Sequence, residues 1–368
     1  MSAALDKCLG CLLGGAAGDA LGYAVEFSSE REIFACFGPE GISGYRLSGG
    51  LARISDDTQM TLFTANGLLW AQTQRALGRE AGFCDGVSAA YRDWYLTQTQ
   101  RYPLPDRHWA ASHSCWLLEV PELYSRRAPG NTCLSALAGF VPGSMRSPIN
   151  DSKGCGGVMR IAPAGLFFDD AGEAALTAAE CAALTHGHEL GCIPAAYVAH
   201  MVCTLSHGQA AGPREAALGA LLDMERLFPA AAHLDGFVQL IGHALDLAES
   251  SLAPLEAIHR LGAGWVGDEA AAIALYCALK YPDDLGRALT AAVNHSGDSD
   301  STGAIAGGIL GAHLGLGGIP ARFLERLELR GVIEELAEDL HRGCPAQDAP
   351  EPERRRWQRK YLEIRRCV

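Results

Sequence analysis

The chain has 368 residues, 48% of them hydrophobic, enough to bury a large core. A formal net charge of −13 and a pI of about 5.4 argue against general binding to nucleic acid or to an acidic membrane. No apolar run is long enough to span a bilayer. The start, Met1 to Lys7, lacks the basic and apolar regions of a secretory leader.

The 13 cysteines are odd in number and lie mostly in apolar segments, so they read as reduced core thiols of a cytoplasmic protein. Leu5 to Val25 is apolar nearly all round, which predicts a central helix. Its small residues allow neighbouring helices to approach closely. Cys8 and Cys11 match CxxC, but on an apolar helix without βαβ context they argue against a redox or zinc role. Asp19 is a charge in apolar surroundings and needs a partner, a hydrogen bond or a metal. Glu26 follows at the helix end. Residues 28–53 are glycine-rich and read as an irregular surface loop. Ser55-Asp56-Asp57-Thr58 then stands before a buried helix, Gln59 to Leu69. By itself this is a capping sequence.

Phe83 to Thr97 repeats apolar residues at helical spacing. A short helix is expected around Trp109 to Leu118, then a loop, then a second short helix from Asn131 to Gly139. Asn150 to Arg160 clusters glycines before an apolar segment. Such a turn lets backbone N–H groups approach an anion such as diphosphate, although a flexible turn fits as well. It is neither a P-loop nor a Rossmann fingerprint. From Ala171 the pattern is helical almost throughout, at Ala174–Leu184, Ile193–His207, Arg214–Leu227, Leu234–Ser250, Leu255–Leu261, Glu269–Leu279 and Leu285–Asn294. Thr185-His186-Gly187-His188 reads as a helix C-terminus whose histidines favour the dipole, or else as a ligand contact. Trp265, in a glycine-rich turn, fits a core position or a ring-stacking one.

The most informative stretch is Asn294 to Gly303, which packs Asp298, Asp300, Ser299 and Ser301 onto a turn before a small-residue helix. Ser301 or Asp300 is a candidate N-cap. A cap needs only one acceptor, and close carboxylates repel unless one takes a proton or both bind a cation. Oxygen-only ligands suit Mg²⁺, Mn²⁺ or Ca²⁺ rather than zinc. Together with Ser55–Thr58, two oxygen-rich clusters are about what a two-metal centre needs. No alternating strand is evident, so the fold class is all-α: one many-helix orthogonal bundle over residues 1–345. Residues 346–368 form a linker and a basic, aromatic tail, expected to dock on the acidic body.

These motifs, in this order, resemble the ADP-ribosylglycohydrolases, the group of the dinitrogenase-reductase-activating glycohydrolase and the ADP-ribosyl hydrolases. The resemblance runs from about Lys7 to about Leu316 and includes Gly14–Gly22, Ser55–Thr58, Lys153–Arg160, Leu184–His186, Gly262–Trp265 and Gly297–Ser301. It implies an all-α fold with a binuclear Mg²⁺ centre, sometimes Mn²⁺. Ser55, Asp56, Asp57, Asp298, Asp300 and Ser301 match the metal ligands, with Asp300 bridging. Serines replace the commoner threonines at 55 and 301 and keep the hydroxyl oxygen. Asp56 or Asp57 is the implied general base. Glu26 matches an acid that guards the metals and moves when substrate enters. Asp151, Ser152, Lys153, Gly154, Cys155, Gly156 and Gly157 match the loop holding the ADP-ribose phosphates, with cysteine at 155 where many relatives have asparagine. His186 and Trp265 match positions near the adenosine half. The implied reaction removes ADP-ribose from a modified protein, with arginine linkage favoured. Other linkages, toxin immunity, a non-catalytic ADP-ribose binder and a Mg²⁺-dependent phosphohydrolase are the alternatives.

Overall fold

Ser2 caps the first helix, α1 (Ala3–Gly22), through a hydrogen bond from Leu5 N to its hydroxyl. The computed structural model describes residues 1–105, 115–139 and 141–362. Within the stretch expected to be an irregular loop lies α2 (Glu30–Phe37). It forms because Ser29 and Glu32 make a reciprocal capping box, a local signal that the surrounding glycines mask. Next come α3 (Asp56–Ala76), α4 (Phe83–Thr99) and α5 (Asn131–Ala138). The part of the expected Trp109–Leu118 helix before residue 115 lies outside the described residues; a 3₁₀ turn covers Trp116–Glu119.

The second half continues with α6 (Ala162–Phe167), α7 (Ala171–Ala183), α8 (Glu189–Ser206), α9 (Pro213–Leu227), α10 (Leu234–Glu249) and α11 (Pro254–His259). It closes with α12 (Gly267–Lys280), α13 (Leu285–Val293), α14 (Ser299–Leu314), α15 (Arg330–Arg342) and α16 (Glu351–Tyr361). Among the described residues there are isolated bridges and no strand ladder, so the molecule is all-α. Helix starts lie a few residues from the expected ones where a cap sets them, as Asp170 does for α7 through Glu173 N.

The close approach anticipated for α1 is a seam with α14. A Cβ added at Gly10, Gly14 or Gly18 would sit 2.4, 2.4 and 2.0 Å from the carbonyl oxygens of Gly311, Gly307 and Gly303. At Gly22 it would lie 2.2 Å from that of Ser299. The partner numbers fall as the α1 numbers rise, so the two helices run antiparallel. This seam brings the end of α1, with Asp19 and the following Glu26, against the start of α14.

Within the tail, Glu351–Tyr361 is the helix α16. Trp357 and Tyr361 are buried in the same hydrophobic cluster as α1 and α3. Trp357 Nε1 donates to Thr73 Oγ1 at 2.8 Å, and Tyr361 donates to Asp339 at 3.0 Å. Lys360 pairs with Glu335 at 2.7 Å.

Candidate active site

Asp19 organises the first acidic cluster without belonging to it. Fully buried, it accepts hydrogen bonds from Ser55 N at 3.0 Å, from Thr58 N at 3.1 Å and from the Thr58 hydroxyl. Its charge is therefore satisfied at the positive end of α3. Burial still pushes its carboxyl up to about 6, against the lowering effect of those bonds. Ser55 is the N-cap of α3 and accepts from Asp57 N at 3.1 Å. That use of Ser55 is the capping alternative, and it orients Asp56 and Asp57 into a common cavity.

The cavity has a volume of about 480 Å³ and is lined by Glu26, Asp56, Asp57, Asp298, Asp300 and Ser301, among others. Glu26, Asp298 and Asp300 each offer an oxygen within 4.8 Å of the others. Ser301 Oγ donates towards Cys155 Sγ at 3.6 Å, which ties the start of α14 to the glycine turn. Asp298 caps α14 by accepting from Ser301 N at 3.3 Å.

All five carboxyls are buried. Burial, then the charges of Asp298 and Asp56, push Glu26 up to about 8. Burial and neighbouring acids likewise raise Asp56, Asp57 and Asp300 well above the carboxylate range. Among the described residues, Glu26 Oε2 and Asp57 Oδ2 have no hydrogen-bond partner. Buried orphan oxygens beside repelling acids fit a bound cation, and an all-oxygen donor set fits a hard divalent one.

Beside the acids lies the glycine turn. Gly154, Cys155 and Gly156 line the cavity, whereas Asp151 and Lys153 are exposed and Ser152 is half-buried behind the turn. Ser152 Oγ accepts from Gly154 N at 3.4 Å and pairs with Thr132 at 3.1 Å. Gly157 packs away from the cavity, against Gly191 O. The turn is a 3₁₀ element, Cys155–Gly157, not the start of an α-helix. Cys155 N donates to Trp265 O at 3.2 Å and Gly267 N donates to Lys153 O at 2.8 Å, so the two glycine-rich turns are tied together. The Cys155 thiol donates to Asp298 Oδ2 at 2.7 Å.

The His186 and His188 side chains do not bond the last carbonyls of α7, although His186 N donates to Ala182 O at 3.0 Å. His188 instead caps the start of α8, accepting from Leu190 N at 3.0 Å. His186 is buried beneath the glycine turn and lines the cavity. Trp265 is not a core residue. It is 45% exposed and stacks on Phe27, with ring centroids 6.5 Å apart and planes 22° apart, at the cavity's edge.

The resemblance is confirmed. An ADP-ribosylglycohydrolase family model matches residues 1–350. The chain belongs to that family. It is 25% identical over 333 residues to the ADP-ribosyl-[dinitrogen reductase] glycohydrolase of Rhodospirillum rubrum, covering 88% of this chain and 91% of that protein. It is also 27% identical over 225 residues to the ADP-ribosylhydrolase ARH3 of Homo sapiens, covering 55% of this chain and 61% of that one. The chain thus spans about three-fifths of the length of ARH3. A solved ADP-ribosylglycohydrolase-related protein complex shares the fold, with a TM-score of 0.61 at 24% identity over 93% of this chain and 99% of that one.

Phe27 and Cys133 reach the cavity without a signal in the sequence, as do Met159 of the glycine stretch and the 128–132 loop before and into α5, which the sequence marks only by motif or turn. Gly130 N donates to Asp56 Oδ2 at 3.3 Å, which fixes that carboxylate from outside both acidic motifs.

Proposed function

We propose that this chain is a metal-dependent hydrolase that removes ADP-ribose from modified protein side chains by cleaving the glycosidic bond at ribose C1″. The observation that carries the reading is the convergence of Glu26, Asp56, Asp57, Asp298 and Asp300 on one cavity beside the glycine turn. Ser55, Asp56, Asp57, Asp298, Asp300 and Ser301 would hold two Mg²⁺ ions, with Mn²⁺ as a substitute. Bound there, the ions supply Lewis acidity beside the ribose hydroxyls and lower the pKa of water.

The protein's own groups do the rest. Asp57, with Oδ2 unpartnered, or Asp56 accepts the proton of the incoming water. The water oxygen bonds to C1″ as the bond from C1″ to the side-chain nitrogen or oxygen breaks, and the leaving atom takes up a proton. Glu26 stands at the same oxygens and yields as substrate enters. Of the 151–157 turn, Gly154, Cys155 and Gly156 approach the diphosphate; Trp265 binds towards the adenosine half, and His186 stands beneath the turn, where that half meets the diphosphate. Arginine is the favoured linkage, because the Gly18–Glu26 and Ser55–Thr58 stretches resemble the bacterial branch of the family.

A panel of arginine-, serine- and threonine-linked ADP-ribosyl peptides tests this, with Mg²⁺ and with EDTA. The expected result is free ADP-ribose from the arginine peptide, abolished by EDTA. Release only from serine would overturn the linkage. ADP-ribose binding without any release would mark a non-catalytic relative, and release of phosphate would mark a phosphohydrolase.

A further inference from the structure

Arg160 is fully buried, yet each of its hydrogen-bond partners is neutral. Nη2 donates to Thr185 Oγ1 at 2.7 Å; Nη1 reaches Met60 Sδ at 3.3 Å and Cys133 Sγ at 3.4 Å. The guanidinium lies 4.3 Å above the Tyr91 ring, and Nε has no partner. A buried cation with no carboxylate among its partners in the described residues is costly to fold around. Its position directly behind a residue of the ligand cavity gives that cost a use.

A guanidinium only donates, so Thr185 Oγ1 accepts from it. Thr185 also lies 2.8 Å from His186 Nδ1. If Nδ1 carried the ring proton, Thr185 would accept twice, leaving its own buried hydrogen without an acceptor among its hydrogen bonds in the described residues. Donation to Nδ1 is the better arrangement, and it places the ring proton on Nε2. Nε2 faces the glycine turn: it is 3.3 Å from where a Cβ on Gly154 would lie and 3.1 Å from one on Gly156. Burial and the Arg160 charge keep the ring neutral, with a pKa lowered to about 3.

We propose that Arg160 is a positioning residue: through Thr185 it fixes His186 as the Nε2–H tautomer, so that the ring presents one donor to a phosphate oxygen in the cavity. The identity of that oxygen rests on the ADP-ribose reading; the tautomer does not.

Long-range ¹H–¹⁵N spectra of the histidine rings in the ligand-free full chain test the tautomer, with His186→Gln assigning the signal. The Nε2–H form is expected in wild type and in Thr185→Ser, and a mixed or Nδ1–H form in Thr185→Val. Arg160→Lys keeps the charge but not the fork, and should also lose the pure Nε2–H form. By calorimetry with Mg²⁺ present, the Kd for ADP-ribose should rise about tenfold in Thr185→Val and stay unchanged in Thr185→Ser. Nδ1–H in wild type, or pure Nε2–H in both Thr185→Val and Arg160→Lys, would overturn the positioning role. A changed tautomer with an unchanged Kd would overturn the donor's use. A wild type that binds no ADP-ribose would instead overturn the reading of the cavity, and the spectra would still judge Arg160.

Discussion

Glu26 contributes to the expected pH response of the metal-free protein in the same direction as the raised Asp56, Asp57 and Asp300. Its carboxyl rises from 4.5 to about 8 through burial and the nearby Asp298 and Asp56 charges. The folded state therefore holds a proton that the unfolded chain has released. This contribution to stability is fully present below 4.5 and is lost as pH rises through about 8. In EDTA, the melting temperature should fall between about pH 5.5 and about pH 8.5, and Mg²⁺ should restore it at the higher pH. A metal-free melting temperature that rises over that interval would contradict this. Asp300→Asn should lower kcat by at least about a hundredfold. Because it removes one of several repelling carboxyls, the same change should leave the metal-free melting temperature no lower. The acids were legible in the sequence because each cluster sits at a helix start, where capping hydroxyls and paired carboxylates stand together. Phe27, Gly130 and Arg160 were not, because their places depend on packing between segments far apart in the chain. Capping chemistry also competes with ligation: Ser55 and Asp298 cap helices and are also proposed ligands, and sequence alone does not rank the two roles.

At the scale of helices, the seam between α1 and α14 controls the site. Gly14→Ala would bring a Cβ to 2.4 Å from a backbone oxygen that cannot rotate away. It should destabilise the fold by about 3 kcal/mol or more and weaken metal binding with it. Gly219→Ala in α9 is the control, since nothing lies within 4 Å of its Cβ position. There the change should stabilise by about 0.5–1 kcal/mol, read by denaturant unfolding. The tail makes a separate prediction. Trp357→Ala removes a buried indole and its bond to Thr73, and should cost about 3 kcal/mol. Unchanged stability would mean that α16 does not stay docked in solution. Most long helices were readable from apolar spacing, and α1 from its all-round apolarity. The capped α2 was hidden by the glycines around it. The register of α1 against α14 was hidden too, because small residues mark a close approach without naming the partner.

For the whole molecule, the two acidic motifs stand some 240 positions apart in sequence, and only the folded bundle sets them around one cavity. Family membership and the all-α architecture agree with the sequence reading. The proposed ions rest on the chemistry of that cavity, and the proposed linkage on the resemblance in sequence. Anomalous diffraction from crystals grown with Mn²⁺ tests the central claim most directly. Two ions per chain are expected between the start of α3 and the start of α14, with Asp300 touching both, and Asp300→Asn should hold at most one. A cavity free of Mn²⁺, or ions bound only at surface carboxylates, would contradict the account.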